Sequence, residues 1–214
     1  MIFSELQKRI LSSLILIPVS FFFIIQGSIF FTFFLSFIFF VTSYEWIKMS
    51  KKKELIKIFG IIFLFFSLST AYFIRENYSL NFILLIITVC IFTDIGGYVF
   101  GKVFKGPKLS KISPNKTYSG VFGSFLISLI AALIYINYFG KKYLLEIDQA
   151  WIVLLILFVS LISQVGDLII SYFKRKAKLK DTGKIIPGHG GLLDRIDGLI
   201  FVFPTLFIVN LILN

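Results

Sequence analysis

The chain reads as an all-α, polytopic integral membrane protein with about seven transmembrane helices and its basic loops on the cytoplasmic side. Three observations predict this. Apolar residues fill 57% of the 214 positions, charged residues only 15%, and 28 residues are phenylalanine. A soluble domain of this length has no interior large enough to hide that much apolar surface. Apolar runs of roughly membrane-spanning length recur, separated by short polar breaks. Finally, every Lys and Arg except Arg75, Lys141 and Lys142 lies at the amino end or in alternate breaks.

The runs fall at about 10–26, 28–47, 56–74, 80–101, 118–139, 150–173 and 197–213. Residues 1–9 form an amphipathic lead-in. Lys8 and Arg9 precede the first run, as in a secretory signal, but no small-residue cleavage site follows. Only Gln26-Gly27-Ser28 separates runs one and two, which suits a tight hairpin or a re-entrant pair. Run two ends in Tyr44-Glu45-Trp46, an interfacial set. Glu45 is expected at headgroup level with no functional part. Lys48, Lys51, Lys52, Lys53 and Lys57 follow, and similar basic breaks follow runs four and six. With seven helices these clusters share one face, which the positive-inside rule makes cytoplasmic. The amino terminus is then inside and the carboxyl terminus outside. The net charge of +11 suits an anionic lipid surface. The single cysteine, Cys90, excludes an intramolecular disulfide, and the length suits one membrane domain over 1–214.

Run four carries Asp94 at membrane depth, where a carboxylate is a functional candidate by default. Asp94, Gly97 and Gly101 share one helical face, and Gly97-x3-Gly101 is a close-packing pattern. Ser113-Pro114-Asn115-Lys116-Thr117 then leads into run five. Lys116 and Thr117 stand where unpaired amides and the positive helix end favour an anion.

The densest chemistry lies in residues 163–198. Ser163, Asp167, Ser171 and Lys174 step by four, four and three, so they line one helical face. Asp167 needs a cationic partner, either a basic side chain or a metal. Lys174, Arg175, Lys176, Lys178, Lys180 and Lys184 then stand against one acid, Asp181. The turn Pro187-Gly188-His189-Gly190-Gly191 promises several free amides. Point charges, a guanidinium fork and amides together suit phosphate. Asp194 and Asp197 follow, three apart. One reading makes them a cap for the next helix. The other brings Asp167 to Asp194, with Asp197, around a hard divalent cation, and oxygen ligands suit Mg²⁺. His189, the one histidine, reads as a loop hydrogen-bonding residue or a nucleotide contact.

The run Ser171–Asp197, S-Y-F-K-R-x4-K-D-x-G-x2-I-P-G-H-G-G-L-x-D-R-I-D, resembles the signature of the phosphatidate cytidylyltransferase (CDP-diacylglycerol synthase) family. D-x-G-G-Y-x-x-G-K-x-F from Asp94 resembles a second block of that family. Residues 113–120 resemble its S-P-x-K-T-W-E-G block, with Tyr118 in place of Trp and Ser119 in place of Glu. The resemblance covers 94–120 and 163–197. It implies that CTP and phosphatidic acid give CDP-diacylglycerol and pyrophosphate in phospholipid biosynthesis, with Mg²⁺, at the cytoplasmic side of the cell (inner) membrane. On that basis Asp167, Asp194 and Asp197 are metal ligands, and Lys174, Arg175, Ser171 and Asp94 are catalytic. Ser113, Lys116, Thr117, Lys180, Asp181, His189, Gly190 and Arg195 contact substrate. The partners are CTP and membrane lipid, with no nucleic acid and room for a homodimer.

Two other classes stay open on the residues. One is a related CTP-dependent lipid enzyme, such as a CDP-archaeol synthase or a polyprenol kinase. The other is an ion transporter using Asp94 and Asp167, although a cation pathway gains nothing from clustered lysines at its mouth. The CDP-alcohol phosphotransferase pattern D-G-x2-A-R-x8-G-x3-D-x3-D is absent.

Overall fold

The computed structural model describes residues 5–50, 53–110, 113, 116–140 and 149–213. The lead-in residues 1–4, Lys51, Lys52, Pro114, Asn115, Lys141 and Lys142, all named above, lie outside the described residues. The described chain is helical: α1 (Glu5–Gln26), α2 (Ser28–Met49), α3 (Glu54–Asn77), α4 (Leu80–Val103), α5 (Tyr118–Tyr135), a π-turn (Ile136–Gly140), α6 (Gln149–Lys176), a one-turn α7 (Leu193–Ile196) and α8 (Leu199–Leu213).

Six helices, α1 to α6, are long and apolar enough to cross a membrane. The seventh expected span is not among them. Its apolar stretch forms α8, with 15 residues. At ~1.5 Å per residue that is about 22 Å, short of a bilayer core of about 30 Å. Before α8, Asp197 is buried and accepts from the Gly198 amide (3.0 Å).

The backbone falls into two compact units, Met1–Tyr78 with Phe173–Asn214, and Ser79–Tyr172. In the first, α2 packs on α1 and α3, and α3 packs on α8. The α1–α2 break is a tight turn. Gly27 takes φ +66°, a left-handed conformation that favours glycine. The turn is stapled by α3. Arg75 donates from Nε to the Ile24 carbonyl (2.7 Å) and from a terminal nitrogen to Ile25 (2.9 Å), so orphan carbonyls at the end of α1 gain partners. Glu76 accepts from the Ser28 amide (2.8 Å) at the start of α2. Aromatic pairs fix α3 on α8, with Phe63 and Phe201 centroids 4.8 Å apart and Phe73 edge-on to Phe207 at 5.0 Å. Phe33, Phe37 and Phe40 line one exposed face of α2, as a lipid-facing stripe requires.

In the second unit α4 and α5 pack through glycine. A Cβ on Gly96 would collide with the Gly123 backbone, one on Gly97 would meet Ser124, and one on Gly120 would come within 2.8 Å of the Gly97 carbonyl. Small residues let the two backbones approach closely. A buried polar seam continues this packing. Ser124 donates to the Thr93 carbonyl (2.8 Å), and Thr93 donates to Ser160 on α6 (2.9 Å).

Candidate functional site

In the first unit the site is built on the turn after α6. The last turn of α6 brings Lys174 to Asp194, with Nζ to Oδ1 at 2.8 Å and side chains 10% and 5% exposed. The other oxygen of Asp194 accepts from the Thr182 amide (2.8 Å), the Thr182 hydroxyl (3.0 Å) and the Gly191 amide (3.1 Å). Asp194 therefore does not cap the next helix. It ties two parts of the turn together.

A second carboxylate does the same from elsewhere in the chain. Glu45, on α2 and only 1% exposed, accepts from the Leu192 amide (3.0 Å), the Leu193 amide (2.8 Å) and the Thr182 hydroxyl (2.9 Å). Glu45, expected at headgroup level with no functional part, is thus tied to the turn that carries the candidate residues. Its side chain points into its own unit because three donors wait there. Two turn glycines make room for it: a Cβ on Gly183 would come within 2.5 Å of Oε1, and one on Gly191 within 2.6 Å of Oε2. The sequence did carry a signal. Glu45 is the one acid in the apolar helix α2, and an acid in such a helix is a functional candidate by default. Its position near the helix end masked this.

The glycine-rich turn also differs from expectation. His189 and Gly190 donate to the Ile186 carbonyl (3.0 and 3.2 Å), Gly191 to Asp194, and Leu192 and Leu193 to Glu45. Five successive amides are occupied, so the turn does not present these groups to an anion. Gly190 takes φ +92° over Asp181 and Asp194, where a side chain would be strained and crowded. Anion contact at the turn therefore falls to side chains. Arg175, Lys178, Lys180, Lys184 and Arg195 are exposed. Arg175 donates to the Leu179 carbonyl (3.1 Å) and Arg195 to the His189 carbonyl (2.9 Å), which holds each guanidinium near the turn. Asp181 is also exposed.

The other side of the turn meets α1. Arg9 donates to the Gly188 carbonyl (2.8 Å), Ser12 lies 2.8 Å from His189 Nδ1, and Ser13 lies 3.4 Å from Nε2. Partial burial, then the Arg195 and Arg9 charges, push His189 below the ordinary imidazole range.

In the second unit Asp167 takes Lys116 on one oxygen (2.6 Å) and the Ser171 hydroxyl on the other (3.1 Å). The cationic partner expected for Asp167 is thus Lys116 within this unit. The pair is part-exposed, at 26% and 25%. Thr117 caps α5 by accepting from the Gly120 amide (3.1 Å), and Ser113 accepts from the Lys116 amide (3.0 Å). Asp94 is exposed on α4, on the face that carries Gly97 and Gly101.

Among the described residues no three His, Cys, Asp or Glu side chains group as a metal site. The fit of Mg²⁺ differs between the carboxylates. The Asp194 side chain is buried, with Lys174 on Oδ1 and the Thr182 and Gly191 amides on Oδ2, so it would take a metal only by giving up one of these donors. Asp167 offers hard oxygens, part-exposed and beside a cation, and fits better.

The cytidylyltransferase family profile matches residues 54–213. The chain is 36% identical over 174 residues to a phosphatidate cytidylyltransferase of Rickettsia typhi, covering 79% of this chain and 76% of the relative. It is 35% identical over 171 residues to the protein of that name from Rickettsia bellii, covering 78% and 74%. For that of Staphylococcus aureus (strain COL) the values are 40% over 153 residues, 70% and 54%, so the match spans about half of the longer protein. The matched region carries the Lys116–Asp167 pair and the turn on which Asp194 converges, and with this extent of similarity the chain belongs to the cytidylyltransferase family.

Proposed function

We propose that this chain is a phosphatidate cytidylyltransferase: it joins CTP and phosphatidic acid to give CDP-diacylglycerol and pyrophosphate. The observation that carries the reading is the rim of exposed cations, Arg175, Lys178, Lys180, Lys184 and Arg195, around a turn whose own amides are occupied, in a chain of this family. Such a rim suits a triphosphate or a lipid phosphate and has no use in cation transport.

A phosphatidate oxygen attacks the α-phosphorus of CTP. A new P–O bond forms, the bond to the β-phosphate bridge breaks, and pyrophosphate departs. The nucleophile is already anionic at neutral pH, so no Ser, Cys or strong base is needed. The protein's part is to position two anions and to neutralise their charge. Arg175 and Lys180 bind phosphate, and Lys174 would do so only by leaving its pair with Asp194; Lys116 and Ser171 add charge and a hydroxyl beside Asp167, and Asp94 is a further carboxylate of the second unit. Ser113, Thr117, Asp181, His189, Gly190 and Arg195 border the substrates.

Mg²⁺ is the proposed cofactor, and when bound it screens phosphate charge. Asp167 is its first candidate ligand. Asp194 would serve only by giving up a present donor, and Asp197 is a further candidate of the first unit. The basic loops support a site on the cytoplasmic side of the cell (inner) membrane, where CTP and lipid headgroups meet.

The test is direct. Purified protein in detergent receives labelled CTP, phosphatidic acid and Mg²⁺, with and without EDTA. A CDP-lipid and pyrophosphate are expected, and EDTA should remove both. Consumption of CTP with a different lipid only would replace the substrate. CTP left untouched with every lipid would overturn the reading.

A further inference from the structure

We propose that Glu45 is a positioning residue for the nucleotide side of this reaction: it fixes the turn that carries the cationic rim, and without it the rim loses its register. The inference rests on the cytidylyltransferase reading for its kinetic part and on geometry alone for its structural part.

Glu45 stands 137 to 148 residues before its three partners, Thr182, Leu192 and Leu193. It is almost wholly buried, and all three contacts are donors to its carboxylate. A buried carboxylate is costly unless donors surround it, so it persists here only while the turn holds this shape. The dependence runs both ways, because five consecutive amides of the turn need acceptors and Glu45 supplies two of them.

Thr182 joins the two anchors. Its hydroxyl lies 2.9 Å from Glu45 and 3.0 Å from Asp194. One hydroxyl has one proton, so the two carboxylates compete for it. Asp194 in turn holds Lys174. A shift of Glu45 is therefore transmitted through Thr182 to the Lys174–Asp194 pair. Arg195 is held as well, since it follows the anchored Leu192–Asp194 segment and donates back to His189.

Glu45→Gln tests this with little change of volume. Each Glu45 oxygen accepts a backbone N–H, Oε1 from Leu192 and Oε2 from Leu193. Either orientation of a glutamine amide sets its NH₂ against one of those donors. Glu45→Asp keeps the charge on a shorter arm and serves as the conservative rescue.

Two readouts are taken on the purified full chain. The first is hydrogen exchange of amides 182–193. Protection there should fall in Glu45→Gln, with α3 to α5 unchanged, and should return in part in Glu45→Asp. The second is steady-state kinetics. Glu45→Gln should lower kcat/KM for CTP about tenfold or more and leave KM for phosphatidic acid within about twofold, with Glu45→Asp between. Unchanged exchange at 182–193 overturns the anchor. Lost protection with wild-type kinetics, or equal shifts in both KM values, overturns the positioning role. If Glu45→Gln does not fold, Glu45→Asp carries both readouts, and wild-type values in it overturn the proposal. A wild-type chain that turns over no CTP overturns the cytidylyltransferase reading instead, and the exchange readout still decides the anchor.

Discussion

Asp194 and Asp167 are the same residue type, stand in the same motif-rich half of the chain, and each meets one lysine. Their surroundings differ. Asp194 is 5% exposed and takes Lys174 and two turn amides, with the Thr182 hydroxyl shared between it and Glu45. Asp167 is 25% exposed and meets Lys116 and Ser171 near the start of α5. A saturated, buried carboxylate is an anchor, because a ligand can reach it only by displacing a bond. A part-exposed carboxylate beside a part-exposed lysine can meet a polar ligand. The contrast leads us to expect a stability role for Asp194 and a chemical one for Asp167, and substitutions can break it or sharpen it.

The largest expected effect is on turnover. Asp167→Asn should lower kcat about a thousandfold, or ~4 kcal/mol of barrier, while the purified variant keeps its helical content and melting temperature. Near-normal CDP-lipid synthesis by that variant would erase the contrast. Next comes Asp194→Asn, which leaves Lys174 buried without its charge partner and should cost about 3 kcal/mol of stability. Thermal melting in detergent reads this out; an unaltered transition would mean that Asp194 is no anchor.

A control from outside both acids follows. Gly96→Ala forces a methyl into the Gly123 backbone and should cost about 2 kcal/mol through overpacking. Gly101→Ala, whose new Cβ would lie 3.2 Å from the Thr117 hydroxyl rather than inside a backbone, should cost less. Equal costs would show that α4 and α5 do not meet as closely as the glycine stripe requires.

The smallest effect concerns pH. His189 is held below the ordinary imidazole range in the folded chain, by partial burial and then by Arg195 and Arg9. A lowered folded value means that the unfolded chain binds the proton more readily. The contribution is fully present above about pH 6.5, the unfolded value, and is lost as pH falls through the lowered folded value. Protection of the 188–190 amides should therefore weaken between pH 7.5 and 5.5, and His189→Gln should flatten that change.

Much of this was legible from residue order. The apolar runs located α1 to α6 because a spanning helix must be long and apolar, a condition set residue by residue. The pattern Gly97-x3-Gly101 announced close packing, since only a missing Cβ lets two helix backbones approach. The clustered Lys and Arg after α6 announced an exposed basic rim. The seventh apolar run forms a helix, α8, but one shorter than the six that are long enough to span.

What the chain alone determined, then, is which segments enter the membrane and which residues carry charge, for these depend on composition and local period. Only the tertiary structure decided what each charge does. Glu45 lies some 140 residues from the turn it holds, and no local pattern records which distant amides will need an acceptor. The glycine-rich turn looked like a cradle for phosphate because its amides are free in sequence. Folding brings two carboxylates to them, and buried N–H groups take the acceptor that is already in place.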